Sequence, residues 1–352
     1  MRYKLFGKSG LRVSELCLGT MTFGDDRGWG ADKNESRKIY DAFMESGGNF
    51  IDTADLYTNG TSEKFLGEFI AFDRDRVVLA TKYTNSATGT DPNAAGNHRK
   101  NMMHSVEASL KRLKTDYIDL YWLHVWDYTT PLDEVMRSFD DLVRQGKVLY
   151  IGISNTPAWI VSRADAIAEL RGWTQFVGLQ IEYSLIERTC ERELLPMARE
   201  LDLGVTAWSP LAGGLLTGKY AKGLEGKKED KRLAHPMLAP LTDISELKHT
   251  ITAAVAEVAA DIGKTSAQVA LNWLCRQSGV VVPIIGARRL SQLKDNLASV
   301  EFTLDGEQLQ TLDAVSRIER GFPHDFFSNE MVQNFAFGGM KDRIHNHRLK
   351  YP

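Results

Sequence analysis

A chain of 352 residues, 43% hydrophobic and 25% charged, is long enough and ordinary enough in composition to bury a large core. Its formal net charge of -3 gives no basic footprint for nucleic acid, and its N-terminus, MRYKLFGKSGLRVSELCLG, lacks the unbroken apolar stretch of a secretory leader. No later run approaches the ~20 apolar residues of a membrane span, so a cytoplasmic protein with neither nucleic-acid nor membrane partners is expected.

Residues before Glu15 predict a short hairpin. From Glu15 onward, β-branched or aromatic runs alternate with amphipathic stretches, the pattern of parallel βα units. Eight strands are predicted in chain order: ELCLGT, NFIDTA, VVLATKY, YIDLYWLH, LYIGISN, FVGLQIEY, GVTAWSPL and VVVPIIGA, beginning near residues 15, 49, 77, 117, 149, 176, 204 and 280. Most are continuous apolar runs, as strands buried on both faces require. Helix starts are marked by Asp32-x-x-Glu35, Thr130-Pro131 with Asp133, Thr156-Pro157 and Thr265-x-x-Gln268. Met103, Val106, Leu110 and Leu113 keep helical spacing on one face; the basic residues around them, from His98 to Lys114, predict a solvated outer face.

Within a long insertion at about residues 213–245, the stretch from Gly213 to about Leu241, with its charged run KGLEGKKEDKR, is expected to act as a lid, mobile when empty and ordered by cofactor. After about Arg317 an aromatic-bearing tail follows. Cys17, Cys190 and Cys275 are scattered, with no C-x-x-C, and indicate neither a disulfide framework nor a zinc site. His345 and His347 lack further ligands, so no metal is expected. A doubly wound sheet would need G-x-G-x-x-G after its first strand, which is absent, and Gly7-Lys8-Ser9 has no strand before it to make a P-loop. Eight units fit a (β/α)8 barrel, residues 1–352 forming one domain with the barrel at about 15–315 and the tail at about 318–352.

In such a barrel the chemistry sits at the C-terminal strand ends, where polar residues need a reason. Asp52 ends the second strand of the pattern, Tyr57 follows in its loop, Lys82 ends the third strand and His124 the fourth. Singly, each has a mundane reading as cap, packed aromatic, snorkelling lysine or satisfied core histidine. Together they bring a carboxylate, a phenol, an ammonium and an imidazole to one opening. An ammonium favours phenolate and lowers the phenol's pKa from ~10, so Lys82 can activate Tyr57 while Asp52 holds the lysine. His124 then donates to a substrate oxygen or relays its proton, and the set can polarise a carbonyl and protonate the alkoxide. No side chain supplies a hydride, so a cofactor is implied.

The segments FIDTADLY (50–57), VLATKY (78–83), SVEASLKRLKTDYIDLYWLH (105–124), YIGISN (150–155) and GVTAWSPLAGGLLTGKY (204–220) resemble aldo-keto reductase signatures, nearest the aryl-alcohol dehydrogenase-like and potassium-channel β-subunit-like branches. The resemblance implies a TIM barrel, an Asp-Tyr-Lys-His tetrad at Asp52, Tyr57, Lys82 and His124, and NADP(H) bound without a Rossmann domain. It implies that Ser154, Asn155 and Gln180 hold the carboxamide, that Gly19, Thr20 and Met21 touch the ribose, and that Asp52 is also a cofactor-binding residue. Trp208, Ser209, Pro210, Leu211, Gly213 and Leu215 would cover the pyrophosphate. Gly286, Arg288, Gln292 and Asn296 would hold the adenosine end, with Arg288 on a 2′-phosphate. Trp29, Tyr83 and Trp126, with Tyr57 and His124, would wall the substrate, and Tyr128, Phe322, Phe326 and Phe327 add aromatic surface, which suits aryl or apolar aldehydes. The alternative is a cofactor-binding regulatory subunit with slow residual turnover; a barrel hydrolase would need a second strand-end carboxylate. Monomer and homo-oligomer stay open.

Overall fold

The computed structural model describes residues 1–26, 28–86, 89–219 and 245–345. The expected lid falls mostly on 220–244, and His347 on 346–352, outside the described residues.

The hairpin pairs β1 (Tyr3–Leu5) with β2 (Arg12–Ser14) antiparallel. The eight predicted strands follow as β3 (Cys17–Gly19), β4 (Phe50–Asp52), β5 (Val78–Tyr83), β6 (Ile118–Leu123), β7 (Val148–Ser154), β8 (Gly178–Glu182), β9 (Gly204–Trp208) and β10 (Val281–Gly286). They form a closed parallel barrel in chain order, sealed where Cys17, Leu18 and Gly19 register with Ile284, Ile285 and Gly286. Around it lie α1 (Lys33–Glu45), α2 (Thr61–Phe69), α3 (Arg99–Leu113), α4 (Leu132–Arg144), α5 (Ala158–Arg171), α6 (Leu194–Glu200), α7 (Glu246–Asp261), α8 (Ser266–Cys275), α9 (Leu290–Leu297) and α10 (Gly306–Ser316). No helix among the described residues is long and apolar enough to cross a membrane.

The helix starts behave less uniformly than their signals. Thr265 and Gln268 form a complete capping box at α8. Asp32 caps α1 by accepting from the Glu35 N–H, but the Glu35 carboxylate reaches away to accept from the Leu290 N–H of α9 at 2.7 Å. At α4 and α5 the cap position is the proline itself, and Thr130 and Thr156 turn their hydroxyls to Asp127 and to the Ser154 carbonyl. The tail continues as α11 (His324–Phe327) and α12 (Glu330–Ala336), neither of which buries a residue.

The barrel floor is plugged by one ring. Phe6, fully buried, packs edge-on against Phe50 and Trp122 with centroids 5.4 and 6.4 Å away. Gly7 leaves the ring at φ +59°, with the Val177 carbonyl where a Cβ would stand, so only glycine serves. Glycines also make room inside the barrel: a Cβ on Gly178 would lie 2.5 Å from Phe6 Cε1 and 2.8 Å from Trp122 Cη2. Interiors at crystal density cannot absorb that without rotamer or backbone shifts. Gly178→Ala should therefore cost about 1–3 kcal/mol, read as a lower urea midpoint at unchanged slope; a parental midpoint would contradict a packed floor.

Candidate active site

Strand parity decides which side chains meet. Along β5, Ala80 and Lys82 face the barrel axis while Thr81 and Tyr83 face the helices, because successive residues alternate. Lys82 Nζ is fully buried and donates to Asp52 Oδ2 at 2.5 Å, to the Thr53 carbonyl at 2.7 Å and to Tyr57 Oη at 3.1 Å. Three protons thus find three acceptors. Asp52 Oδ1 accepts from Gln180 Nε2 of β8 at 2.9 Å, tying the pair to the far wall. Burial by itself would lower the Lys82 pKa, but Asp52 and Tyr57 outweigh it and hold the value above the ordinary lysine range. Lys82 therefore stays charged.

Tyr57 is delivered by the turn after β4. Its N–H donates to the Ala54 carbonyl, and the next residues, Thr58, Asn59 and Gly60, all take left-handed φ of +47°, +53° and +86°. Thr58 anchors this strained run by donating its hydroxyl to the Phe23 carbonyl at 2.6 Å. The half-buried Tyr57 ring meets His124 edge-on at 6.2 Å. Burial first, and the Lys82 charge second, push the His124 pKa down to about 3. Its imidazole is neutral at physiological pH, and Nδ1 is buried with no hydrogen-bond partner.

The four tetrad positions expected from sequence are thus brought together. On the other wall, Asn155 at the end of β7 adopts φ +46° and bridges three neighbours: Nδ2 donates to the His124 carbonyl and to Ser154 Oγ, each at 2.9 Å, and Oδ1 accepts from Trp208 Nε1 at 3.0 Å. Ser154 registers with Gln180, so the side chains form one polar strip across the ends of β7 and β8. That strip fits an amide-bearing cofactor: Ser154 keeps its hydroxyl proton, and Asn155 Oδ1 keeps a second lone pair. The glycine loop after β9 turns at Ala212, Gly213 and Gly214 (φ +47°, +66°, +100°), with Ser209 Oγ accepting from the Gly213 N–H. Within it Trp208, Ser209 and Leu211 are half-buried, whereas Pro210 and Leu215 are buried supports.

At the first and last strand ends the polar atoms of two expected contact residues bond to neighbouring backbone. Thr20 is fully buried, and its N–H and hydroxyl both donate to the Asp52 carbonyl, at 3.0 and 3.1 Å, which ties the end of β3 to β4. Asn296 is buried and ties α9 to the Gly286 carbonyl, while Gln292 accepts from the Arg288 N–H at 2.8 Å. Gly286 is exposed and Arg288 half-buried.

The substrate wall needs correction as well. Tyr83 is fully buried on the outer side of β5, stacked on Tyr121 at 5.3 Å with its hydroxyl donating to the Asn97 carbonyl, so it cannot touch a ligand in the mouth. Parity is the reason: with Lys82 facing in, Tyr83 must face out. Trp126 keeps only 8% of its surface and packs in the outer core; Trp29 is half-buried. Phe322, Phe326 and Phe327 are exposed and wall nothing. Sequence reasoning missed the Thr53 carbonyl, the bridging role of Asn155, and Glu63 of α2, which accepts from Thr81 Oγ1 and Arg112 Nε at 2.6 Å each. Outward parity of Thr81 was the available signal for the last.

Comparison with known proteins agrees with this geometry. The model of the aldo/keto reductase family matches residues 15–317. Norsolorinic acid reductase stcV of Emericella nidulans is 40% identical over 338 residues, covering 93% of this chain and 84% of that protein. The uncharacterized oxidoreductase YrpG of Bacillus subtilis is 40% identical over 327 residues, covering 90% and 96%. A Saccharomyces cerevisiae protein named as an aryl-alcohol dehydrogenase, AAD14, is 36% identical over 344 residues, covering 94% and 90%. With most of its length matched and the barrel closed around a Lys82–Asp52 pair, the chain belongs to the aldo/keto reductase family and is an oxidoreductase.

Proposed function

We propose that this oxidoreductase interconverts aldehydes or ketones and alcohols with NADP(H), using Tyr57 as general acid/base. The observation that carries this reading is the Lys82 ammonium, charged, buried and 3.1 Å from Tyr57 Oη. A cation so placed stabilises phenolate, the form Tyr57 takes after giving its proton to a carbonyl oxygen. Asp52 and the Thr53 carbonyl hold the ammonium still while the phenol's charge changes, so little reorganisation accompanies the transfer. His124, neutral, can donate only an uncharged N–H bond to the same oxygen and orients it without competing as the acid.

A bound nicotinamide dinucleotide would supply the hydride. Ser154, Asn155 and Gln180 would hold its carboxamide, Gly19 and Met21 would flank its ribose, the loop from Trp208 to Leu215 would meet its pyrophosphate, and Gly286 and Arg288 its adenosine end. Gln180 would do so through its carbonyl, because Nε2 is engaged with Asp52. Trp29, Tyr57 and His124 would line the remaining opening, which suits a flat apolar carbonyl. The similarity to a protein named as an aryl-alcohol dehydrogenase supports an aryl substrate. Residues 1–352 are read as one cytoplasmic domain.

Tyr57→Phe keeps the ring and removes the proton. Aldehyde reduction followed by NADPH oxidation should fall roughly 10²–10⁴-fold, with cofactor affinity barely changed. Near-parental turnover with chemistry limiting would sink the assignment.

His124 should be silent in an imidazole NMR titration between about pH 5 and 8. Its folded value of about 3 lies below the ordinary 6.5, so the unfolded chain binds the proton first. The stability tied to neutral His124 is full above about pH 7 and is lost as pH falls through 6.5 towards 3. His124→Gln should flatten that acid slope; a parental imidazole titrating near 6.5 would contradict the buried, neutral ring.

Isothermal titration should show NADPH binding more tightly than NADH, and Arg288→Ala should narrow the gap by weakening NADPH alone. Equal parental affinities would remove the 2′-phosphate clamp.

A further inference from the structure

Two residues before Tyr57, on the same turn, stands an acid that the chemistry above does not use. Asp55 donates its backbone N–H to the Lys82 carbonyl, which splices the Tyr57 turn onto β5. Its side chain feels Glu63 of α2 and Arg112 of α3, and its Oδ1 is buried with no hydrogen-bond partner. Both neighbouring cations are taken. Arg112 of α3 gives its Nε to Glu63 of α2, and all three protons of Lys82 go to Asp52, Thr53 and Tyr57. The remaining group facing it is Tyr121 of β6, fully buried, whose hydroxyl also lacks a partner. An ionised carboxylate would be costly in that position, next to a second carboxylate and with no ion pair of its own.

We propose that Asp55 is a positioning residue that works as a neutral acid: uncharged, it lets the turn 54–57 seat the Tyr57 phenol on Lys82, and ionised, it is drawn out of its pocket and unseats it. The proposal rests on the reading of Tyr57 as the acid/base. Burial first and the Glu63 carboxylate second push the Asp55 pKa up to about 8, against weaker opposing pulls from Arg112, the Leu56 N–H and Lys82. Ionisation therefore falls within the working range of the site.

Alcohol oxidation separates this from Tyr57 itself, because the two groups act with opposite sign. Tyr57 must be ionised to accept a proton, so its limb rises with pH; ionisation of Asp55 lowers the rate, so its limb falls above about pH 8. The parental kcat should pass through a maximum and decline, and Asp55→Asn, which copies the neutral acid, should lose the decline and keep the rise. Asp55→Ala should lower kcat roughly tenfold at pH 7, with most of it restored in Asp55→Asn. Carbon-13 NMR of Asp-labelled parental protein supplies a readout independent of turnover: one carboxyl, absent from the Asp55→Asn spectrum, should titrate near 8. Coincident pH profiles for parent and Asp55→Asn would overturn the proposal, and so would a parental Asp55 carboxyl that titrates in the ordinary acid range, which needs no variant active enough for kinetics. A rising limb that survives Tyr57→Phe would instead refute the acid/base reading and leave the carboxyl titration standing.

Discussion

The fold is organised around one requirement: a lysine ammonium sealed from water must find an acceptor for every proton. Lys82 meets it with Asp52, the Thr53 carbonyl and Tyr57. Two of those acceptors are adjacent in sequence and the third lies five residues after Asp52, so β4 and β5 must pair in parallel with Asp52 and Lys82 on the same face. The carboxylate in turn needs a partner for its second oxygen, and Gln180 provides it from β8, three strands beyond β5. Only a closed barrel puts β8 opposite β4. Thr20 of the β3 end, donating twice to the Asp52 carbonyl, fixes the remaining freedom. Removing the lysine would leave a buried carboxylate without a cation, at a cost of about 3–5 kcal/mol.

Much of this was legible from residues alone, because the two periodicities involved are simple. Eight apolar runs separated by amphipathic stretches predicted all eight barrel strands, and polar residues at the ends of buried strands picked out Asp52, Lys82 and His124. Where the reading failed, it failed on direction. Tyr83 follows Lys82 immediately, and a strand cannot aim two consecutive side chains at the same mouth. Thr20 and Asn296 sit at strand ends and beside them, as a ligand contact would, yet their polar atoms are spent on neighbouring backbone. Glu35 has the spacing of a capping box but serves α9, some 255 residues later in sequence. Spacing shows that a polar group is available; it does not show which of two eligible donors, local or distant, will claim it.

The electrostatics of the mouth divide the four groups into a charged half and a neutral half. Lys82 and Asp52 are paired and committed, whereas His124 stays neutral because it is buried beside the Lys82 charge. A second cation there would compete with Lys82 for the Tyr57 oxygen. The same field separates Asp52 from Asp55, two carboxyl groups three residues apart. Asp52 shares an ion pair and an amide bond; Asp55 faces Glu63 and has no cation of its own, so burial drives it toward the neutral form.

Precision at the mouth is obtained from backbone strain. Among the described residues, nine non-glycine positions have positive φ; seven of them, Thr58, Asn59, Thr84, Tyr128, Asn155, Ser209 and Ala212, lie in loops that leave the C-terminal ends of strands. Lys114 and Asp202 are the two elsewhere. Such conformations cost of order 1–3 kcal/mol each and persist only where the surroundings over-determine them. Three of them have a visible restraint: Thr58 by the Phe23 carbonyl, Thr84 through Asn97, Asn155 by three bonds to His124, Ser154 and Trp208. The floor, packed by Phe6 and Trp122 against glycines, supplies the rigidity that lets the opposite end carry them. A barrel so divided can vary its mouth loops without loosening the frame, and it can hold the phenol, ammonium and imidazole in fixed relation.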